Sequence, residues 1–195
     1  MTVIVRPAIE ADLAAILAIY NDAVVHTTAI WNDAEVDLAN REAWLAARQR
    51  QGYPVLAAQE DGAVVGYGSF GDFRAFDGYR FSVEHSVYVA EGARRRGVAS
   101  ALIEALIEKA RELGKHVIVG GIAADNHASI ALHLKLGFVE TGRMPEVGFK
   151  FGRWLDLVFM QKQIAGRGTP EADGGQAMAA RRLTDEVFPQ PEADG

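Results

Sequence analysis

The feature that most constrains the fold is residues 83–111, where a strand pattern, a basic loop and a helix pattern follow one another. Residues 83–89 carry the β-branched and aromatic side chains typical of a strand. Residues 98–111 repeat apolar side chains at helical spacing. The loop between them holds two glycines and three consecutive arginines. Because a helix N-terminus presents free N–H groups and the positive end of the dipole, the segment predicts an anion-binding loop.

The rest of the chain supplies the other elements of a mixed α/β domain, of the α+β type. The predicted strands are residues 2–5, 55–59, 64–70, 83–89, 115–123, 138–141 and 155–161, and the predicted helices are residues 9–25, 38–51, 98–111 and 127–136. Asp61-Gly62 predicts a hairpin turn. Since a hairpin precedes a strand–helix–strand unit, the sheet should contain both parallel and antiparallel pairs.

Composition limits the classes of function. A net charge of −6 argues against general nucleic-acid binding, and the absence of cysteine excludes disulfides and thiolate catalysis. No apolar run approaches the roughly 20 residues of a membrane span, and no signal peptide or metal-ligand spacing is evident, so a cytoplasmic protein is expected. Residues 1–164 are predicted to form one domain. Residues 165–195 are rich in glycine, proline and acidic residues, repeat PEADG, and are predicted to be a flexible tail.

The basic loop at residues 94–99 can be interpreted from the elements that precede and follow it along the chain. Residues 94–99 fit R-x-x-G-x-A, which alone is also compatible with a solvated basic turn, and they match neither a Walker loop nor a dinucleotide fingerprint. A strand, Asn126, a short helix and Leu136-Gly137-Phe138 follow. This order resembles the GCN5-related N-acetyltransferase (GNAT) family over residues 3–164. Five further stretches resemble its phosphinothricin and methionine sulfoximine N-acetyltransferase branch: residues 20–24, 27–31, 52–54, 79–89 and 147–154.

The resemblance implies a mostly antiparallel central sheet that is flanked by helices and splayed where acetyl-CoA binds. It also implies a homodimer, for which Trp31, Trp44 and residues 148–154 are candidate contacts. The implied acetyl-CoA contacts are Val87, Tyr88, Val89, Arg94, Arg95, Arg96, Gly97, Val98, Ala99, Ser100, Asn126 and Lys135.

Two residues are candidates for the chemistry. Acetyl transfer to an amine needs a base, and Glu84 lies in an apolar strand just before the loop, where desolvation raises a carboxyl pKa. The alternative interpretation is that Glu84 is a sheet residue that faces water or pairs with an arginine. The resemblance makes it the base. In many family members, a tyrosine at the position of His133 donates a hydrogen bond to the coenzyme sulfur, so the resemblance implies this role for His133. The alternative interpretation is that His133 is a capping or surface histidine.

Acceptor contacts are expected from residues 84–86 and from the aromatic loop at residues 71–81. The resemblance implies contacts along Glu84, His85 and Ser86. In a regular strand Glu84 and His85 face opposite sides, so a shared cavity requires a bulge or backbone contacts. The remaining candidates are Arg74, Ala75, Phe76 and Arg80 from the loop, and Trp31, which either anchors its own loop on the core or lines a pocket. Arginine suits carboxylate or phosphinate oxygens, although these arginines also fit an exposed loop.

Three functions are compatible with the sequence. The first is an acetyl-CoA-dependent N-acetyltransferase that modifies the α-amino group of a small amino acid analogue, of the methionine sulfoximine, methionine sulfone or phosphinothricin type, by direct attack. The second changes the acceptor to a polyamine or a peptide N-terminus. The third is an acyl-CoA-binding module without catalysis.

Overall fold

A computed structural model of the protein describes residues 3–165, which form one seven-stranded sheet with helices on both faces. The strands are β1 (Ile4–Pro7), β2 (Val55–Glu60), β3 (Ala63–Asp72), β4 (Ser82–Val89), β5 (Val117–Ala123), β6 (Val139–Lys150) and β7 (Arg153–Gln163). The helices are α1 (Leu13–His26), α2 (Leu38–Gln51), α3 (Val98–Glu112) and α4 (His127–Lys135). The strand order is β1-β2-β3-β4-β5-β7-β6, and only the β4–β5 pair is parallel. The predicted mixed, mostly antiparallel sheet is therefore confirmed.

The sheet buries a separate apolar cluster on each face. Helix α3 packs on one face through Leu102 and Leu106, both fully buried. It approaches closely at Gly68, where an added Cβ would lie 3.1 Å from the Leu106 side chain. Helices α1 and α2 cover the other face. Each face of β4 therefore meets different helices, which separates the functional groups that its alternating side chains carry.

The parallel β4–β5 pair opens into a cleft. Pairing runs only from Ser82 opposite Val117 to His85 opposite Gly120, although both strands continue. Strand β4 stays paired with β3 up to Val89, and β5 stays paired with β7 through its last residue. Residues 86–89 and 121–123 therefore turn their open edges toward each other, which is the predicted splay.

Most strand ends differ from the predicted ones by one or two residues, and β6 differs most. It runs well beyond the predicted 138–141, and its second half was not recognisable because bulges between Glu140 and Gly142 and between Met144 and Gly148 interrupt the side-chain alternation. Strand β1 begins and ends two residues later than predicted. The predicted helix 9–25 starts with a 3₁₀ turn, in which the Asp12 carboxylate accepts from the Ile9 amide at 2.9 Å.

The predicted tail lies outside the described residues, apart from Ala165. Among residues 3–165, no helix combines the length and the apolar character needed to cross a membrane.

Candidate active site

The cleft between the diverging strands is lined by β4, β5 and the two helices that follow them. Its volume is about 100 Å³. Val87 and Tyr88 line one side, and Asn126 and His133 lie across from them. Ala99 of α3 and Ala29 of the α1–α2 loop complete the wall. The unpaired edge of β4 thus faces a gap that an extended amide-containing chain would fill by strand-like hydrogen bonds.

The predicted anion loop runs from the end of β4 into α3. Gly97 begins the helix with a left-handed backbone (φ +84°), and Arg95 also has a positive φ of 63°. No side chain caps the first turn of α3. The Val98 side chain is buried in the core, so at this position only the backbone amide is available to a ligand. Free amides at a helix N-terminus suit a phosphate.

The arginines of the loop differ in their partners. Arg96 pairs with the buried carboxylate of Glu60 at 2.5 Å. Arg94 lies 3.7 Å from the Asp22 carboxylate, and its Nε donates to the Val89 carbonyl. Arg95 has an exposed side chain with no ion pair among the described residues. Arg96 therefore fixes the loop, whereas Arg95 is the arginine free to meet a ligand.

Glu84 faces α1 and α2. The β3–β4 register is regular, with Gly71 opposite Glu84 and Phe70 opposite His85, so no bulge brings Glu84 and His85 to one side. Burial raises the pKa of Glu84, and the Arg74 guanidinium at 3.9 Å opposes that shift. An added Cβ at Gly121 would lie 3.0 Å from Glu84 Oε1. The carboxylate therefore reaches across to β5, at the point where the strands separate.

His85 and His133 form a buried pair on the opposite face. Their Nε2 atoms lie 3.2 Å apart, and His133 Nδ1 lies 2.7 Å from the Ser129 carbonyl. Since a carbonyl only accepts, His133 Nδ1 carries a hydrogen. Burial lowers the pKa of both rings, that of His85 to about 3. In the neutral pair, His133 Nε2 must then accept from His85 Nε2, which leaves His85 Nδ1 as a buried acceptor with no hydrogen-bond partner in residues 3–165.

A second chamber adjoins Glu84 between the sheet and the α1–α2 pair. It is lined by Tyr20, Arg41, Trp44, Arg48, Tyr67, Ser69, Phe70, Glu84, Ser86 and Tyr88. The two arginines here could not be recognised from the sequence, because both fall on the side of α2 that its pattern marks as polar. Only burial, which is nearly complete for Arg41 and partial for Arg48, distinguishes them from solvated helix residues.

The other predicted residues fall into three places. Arg74, Ala75, Phe76 and Arg80 lie on an exposed loop, where only Arg74 approaches Glu84. Trp31 packs on β6, since a Cβ at Gly148 would lie 2.2 Å from its ring, and it lines neither chamber. Lys135 is exposed at the end of α4, and Ser100 bonds to Glu104. The Asn126 side chain caps α4 by accepting from the Ser129 amide.

A clasp of residues that sequence reasoning missed holds the α1–α2 loop against the cleft. The Lys150 ammonium is buried and donates to the carbonyls of Val24, Thr27 and Ile30 at 2.5, 2.8 and 2.5 Å. Asp125 accepts from Thr28 and from Arg153. The clasp therefore ties the loop that carries Ala29 to the β6–β7 hairpin and to the turn before α4.

Comparison with known proteins agrees with this geometry. The chain matches the acetyltransferase (GNAT) family over residues 16–138. The chain belongs to the GNAT family of acetyltransferases. It is 56% identical to the L-methionine sulfoximine/L-methionine sulfone acetyltransferase of Salmonella typhimurium, over 86% of this chain and 98% of the relative. The family predicted from the sequence is confirmed.

Solved GNAT structures share the fold. An acetyltransferase from Salmonella typhimurium, solved with its cofactor acetyl-CoA, superposes with a TM-score of 0.85 at 55% identity, covering 88% of this chain and 99% of that one. A phosphinothricin acetyltransferase from Sinorhizobium meliloti in complex with acetyl-CoA gives a TM-score of 0.83 at 38% identity, covering 87% and 91%.

Proposed function

We propose that this GNAT enzyme transfers the acetyl group of acetyl-CoA to the α-amino group of a small amino acid whose side chain carries an oxidised sulfur or phosphinate group. The observation that carries the proposal is Glu84, a half-buried carboxylate placed where β4 and β5 part. Methionine sulfoximine, methionine sulfone and phosphinothricin are the acceptors that the relatives' names favour.

The cleft suits acetyl-CoA as cosubstrate. The open edge of residues 87–89 offers backbone groups to the pantetheine amides, with Asn126 across the cleft. The uncapped first turn of α3, namely Val98, Ala99 and Ser100 after Gly97, offers amides to the diphosphate. Arg95 adds a positive charge there, while Arg94 and Arg96 hold the loop in shape.

The chemistry divides between the two faces of β4. The amine nitrogen attacks the thioester carbon, the C–S bond breaks, and Glu84, directly or through water, takes the proton that the amine loses. The raised pKa of Glu84 brings its basicity closer to neutral pH. On the other face, the N–H hydrogen held between the two histidine Nε2 atoms can donate a hydrogen bond that stabilises the leaving thiolate, which then takes its proton from solvent. We assign that hydrogen to His85, with His133 orienting it through Ser129.

The base role is tested by Glu84→Gln, with Glu112→Gln, an exposed residue at the end of α3, as the matched control. We expect kcat for acetylation of methionine sulfone at pH 7.5 to fall by about 10²- to 10⁴-fold in Glu84→Gln, with the KM for acetyl-CoA unchanged. The Glu112→Gln enzyme should match wild type. Full kcat in Glu84→Gln across the pH range would refute the assignment.

The acceptor class is tested with a panel of methionine sulfone, phosphinothricin and spermidine, with free thiol release as the readout. Buried Arg41 and half-buried Arg48, which line the same chamber as Glu84, favour an anionic acceptor over a polyamine. Activity on spermidine alone would overturn the choice of acceptor and leave the acetyltransferase assignment intact.

We further propose a cytoplasmic homodimer. Phe149, Phe151 and Trp154 expose more than half of their surface on the β6–β7 hairpin, at 54%, 56% and 60%. Three large aromatic side chains on one hairpin mark a protein contact, and a second copy would cover them. Sedimentation equilibrium should give twice the chain mass for wild type and the chain mass for Trp154→Arg. Monomeric wild type at micromolar concentration would contradict the proposal.

A further inference from the structure

Two consecutive glycines, Gly120 and Gly121, lie inside β5 where β4 and β5 part. Gly120 is the register partner of His85, the last paired residue of β4, so Gly121 is the first residue of β5 beyond the pairing. Neither glycine has a positive φ, so the backbone would accept alanine at both positions. Glycine inside a strand weakens it and often marks a place where another group approaches closely.

The group that approaches Gly121 is the carboxylate of Glu84. An added Cβ at residue 121 would lie 3.0 Å from Glu84 Oε1 and 3.6 Å from a methyl carbon of Leu157. The distance to Leu157 is an ordinary van der Waals contact, whereas the distance to Oε1 is tighter than most Cβ contacts. The carboxylate can therefore reach across to β5 only because residue 121 has no side chain.

The groups that approach Gly120 are the two histidines on the opposite face. An added Cβ at residue 120 would lie 3.0 Å from His85 Nε2 and 3.2 Å from His133 Nε2. It would stand beside the hydrogen bond that joins these two atoms. The rings have little room to withdraw, because both are buried and His133 Nδ1 donates to the Ser129 carbonyl. A side chain at residue 120 would therefore disturb the hydrogen that the leaving thiolate needs.

Other strand glycines have different neighbours. Gly66 of β3 lies under α3, where an added Cβ would be 3.0 Å from the Val98 side chain, so its small size serves core packing. Gly142 of β6 has no heavy atom within 4 Å of an added Cβ. Gly120 and Gly121 differ from both, because their tightest contacts are polar atoms that the proposed reaction uses.

We propose that Gly120 and Gly121 are positioning residues for the two chemical groups of the site. Gly121 leaves room for the carboxylate of Glu84, and Gly120 leaves room for the hydrogen bond between His85 and His133. Because adjacent strand residues face opposite sides of the sheet, the two glycines let base and donor approach the opening between the strands from either face. The proposal rests on the proposed acetyltransferase mechanism and adds two residues to it.

Gly121→Ala and Gly120→Ala test the two halves, with Gly142→Ala as the matched control. We expect kcat for acetylation of methionine sulfone to fall at least about tenfold in both variants, because a misplacement of about 1 Å can cost about 100-fold in rate. The KM for acetyl-CoA in Gly121→Ala should stay within about twofold of wild type, since the added methyl group points to the Glu84 face. The Gly142→Ala enzyme should match wild type. Wild-type kcat in Gly121→Ala would overturn the proposal.

Double variants show whether each methyl group acts through the proposed partner. Gly121→Ala should cause no further loss of kcat in the Glu84→Gln enzyme and its full loss in the His85→Gln enzyme. Gly120→Ala should show the reverse pattern. Losses that multiply in all four combinations would mean that the methyl groups obstruct the substrates directly, and would refute the positioning role.

Nuclear magnetic resonance follows the Glu84 carboxylate without turnover. Its carboxyl carbon is assigned by its absence from the spectrum of Glu84→Gln. Its titration midpoint should differ from wild type by at least about 0.5 pH unit in Gly121→Ala and match wild type in Gly120→Ala. The charged side chains that face it from the β3–β4 loop and from α2 are the same in every variant: Arg74, Arg41 and Arg48. A changed midpoint therefore reports a moved carboxylate.

The proton between the two histidine Nε2 atoms gives the complementary signal. Its resonance should change in Gly120→Ala and stay in place in Gly121→Ala. Gly121→Ala should fold normally, since a carboxylate on a flexible side chain can move aside, so this variant decides the proposal even if Gly120→Ala is unstable. If Glu84→Gln keeps full kcat, the base assignment fails and the two resonances still decide the positioning role. Wild-type resonances in both variants would refute that role and leave the acetyltransferase function intact.

Discussion

Replacing Lys150 with methionine removes a buried ammonium and keeps most of the side-chain volume. Lys150 is 2% exposed and bonds to three carbonyls. Hydrogen bonds from a charged donor contribute about 1.5–3 kcal/mol each, so their sum would be at most about 9 kcal/mol. Relief of the desolvation of the ammonium offsets several kcal/mol of that, and the Thr27 carbonyl is partly accessible to water. We therefore expect a net loss of about 3 kcal/mol in the free energy of unfolding.

Urea unfolding followed by circular dichroism measures this loss, with Lys109→Met as the control. Lys109 is partly exposed and, in residues 3–165, its ion pair is with exposed Glu112, so its variant should lose less than about 0.5 kcal/mol. A loss of about 3 kcal/mol corresponds to a fall of roughly 6–12 °C in the thermal midpoint for a domain of this size. A Lys150→Met enzyme within about 1 kcal/mol of wild type would show that the three carbonyls find other donors, and the clasp would then have no stabilising role.

Three further changes test other parts of the site. Gly148→Ala places a Cβ 2.2 Å from the Trp31 ring, so tryptophan fluorescence should shift and kcat/KM should fall, whereas unchanged values would show that the loop adapts freely. Glu60→Gln removes the partner of Arg96, so the KM for acetyl-CoA should rise about tenfold with kcat retained, and an unchanged KM would exclude this positioning role. Burial lowers the pKa of His85 from 6.5 to about 3, so the unfolded chain binds the extra proton between those values. The free energy of unfolding should therefore decrease as pH falls below about 6.5, by up to about 1.4 kcal/mol per pH unit, and His85→Gln should show a shallower dependence in urea titrations at pH 7, 6 and 5. An equal slope in both proteins would contradict the assignment.

The parts of the fold that depend on local signals could be predicted from the sequence. Helix α2 has the predicted bounds, since the Asp37 side chain caps its start and left-handed Gly52 ends it. The start of α3 was recognisable because Gly97 precedes an amphipathic helix, whereas anion binding by the loop before it stays a prediction. Both features depend on residues that are close together in the sequence.

The parts that depend on tertiary contacts could not be predicted. The second half of β6 was missed because bulges break its two-residue period. Arg41 and Arg48 carry no sequence signal of burial, since arginines on a helix are normally solvated. The partners of Lys150 lie in the last turn of α1 and on the loop after it, and nothing in the local sequence connects these residues to Lys150. Strand alternation predicted that Glu84 and His85 face opposite sides of the sheet. Whether the strand is regular or bulged could be decided only from the β3–β4 register.

The Lys150 clasp also fixes the order in which the site is completed during synthesis. Its three hydrogen bonds join residues separated by 120 to 126 positions along the chain. Contacts of such long sequence separation form after the local elements, and a chain made from its N-terminus cannot form them until residue 150 has left the ribosome. The loop that carries Ala29 is synthesised more than a hundred residues before Lys150, yet it is fixed in place only after Lys150 is available. Any truncation before Lys150 therefore yields a chain whose cleft lacks one wall.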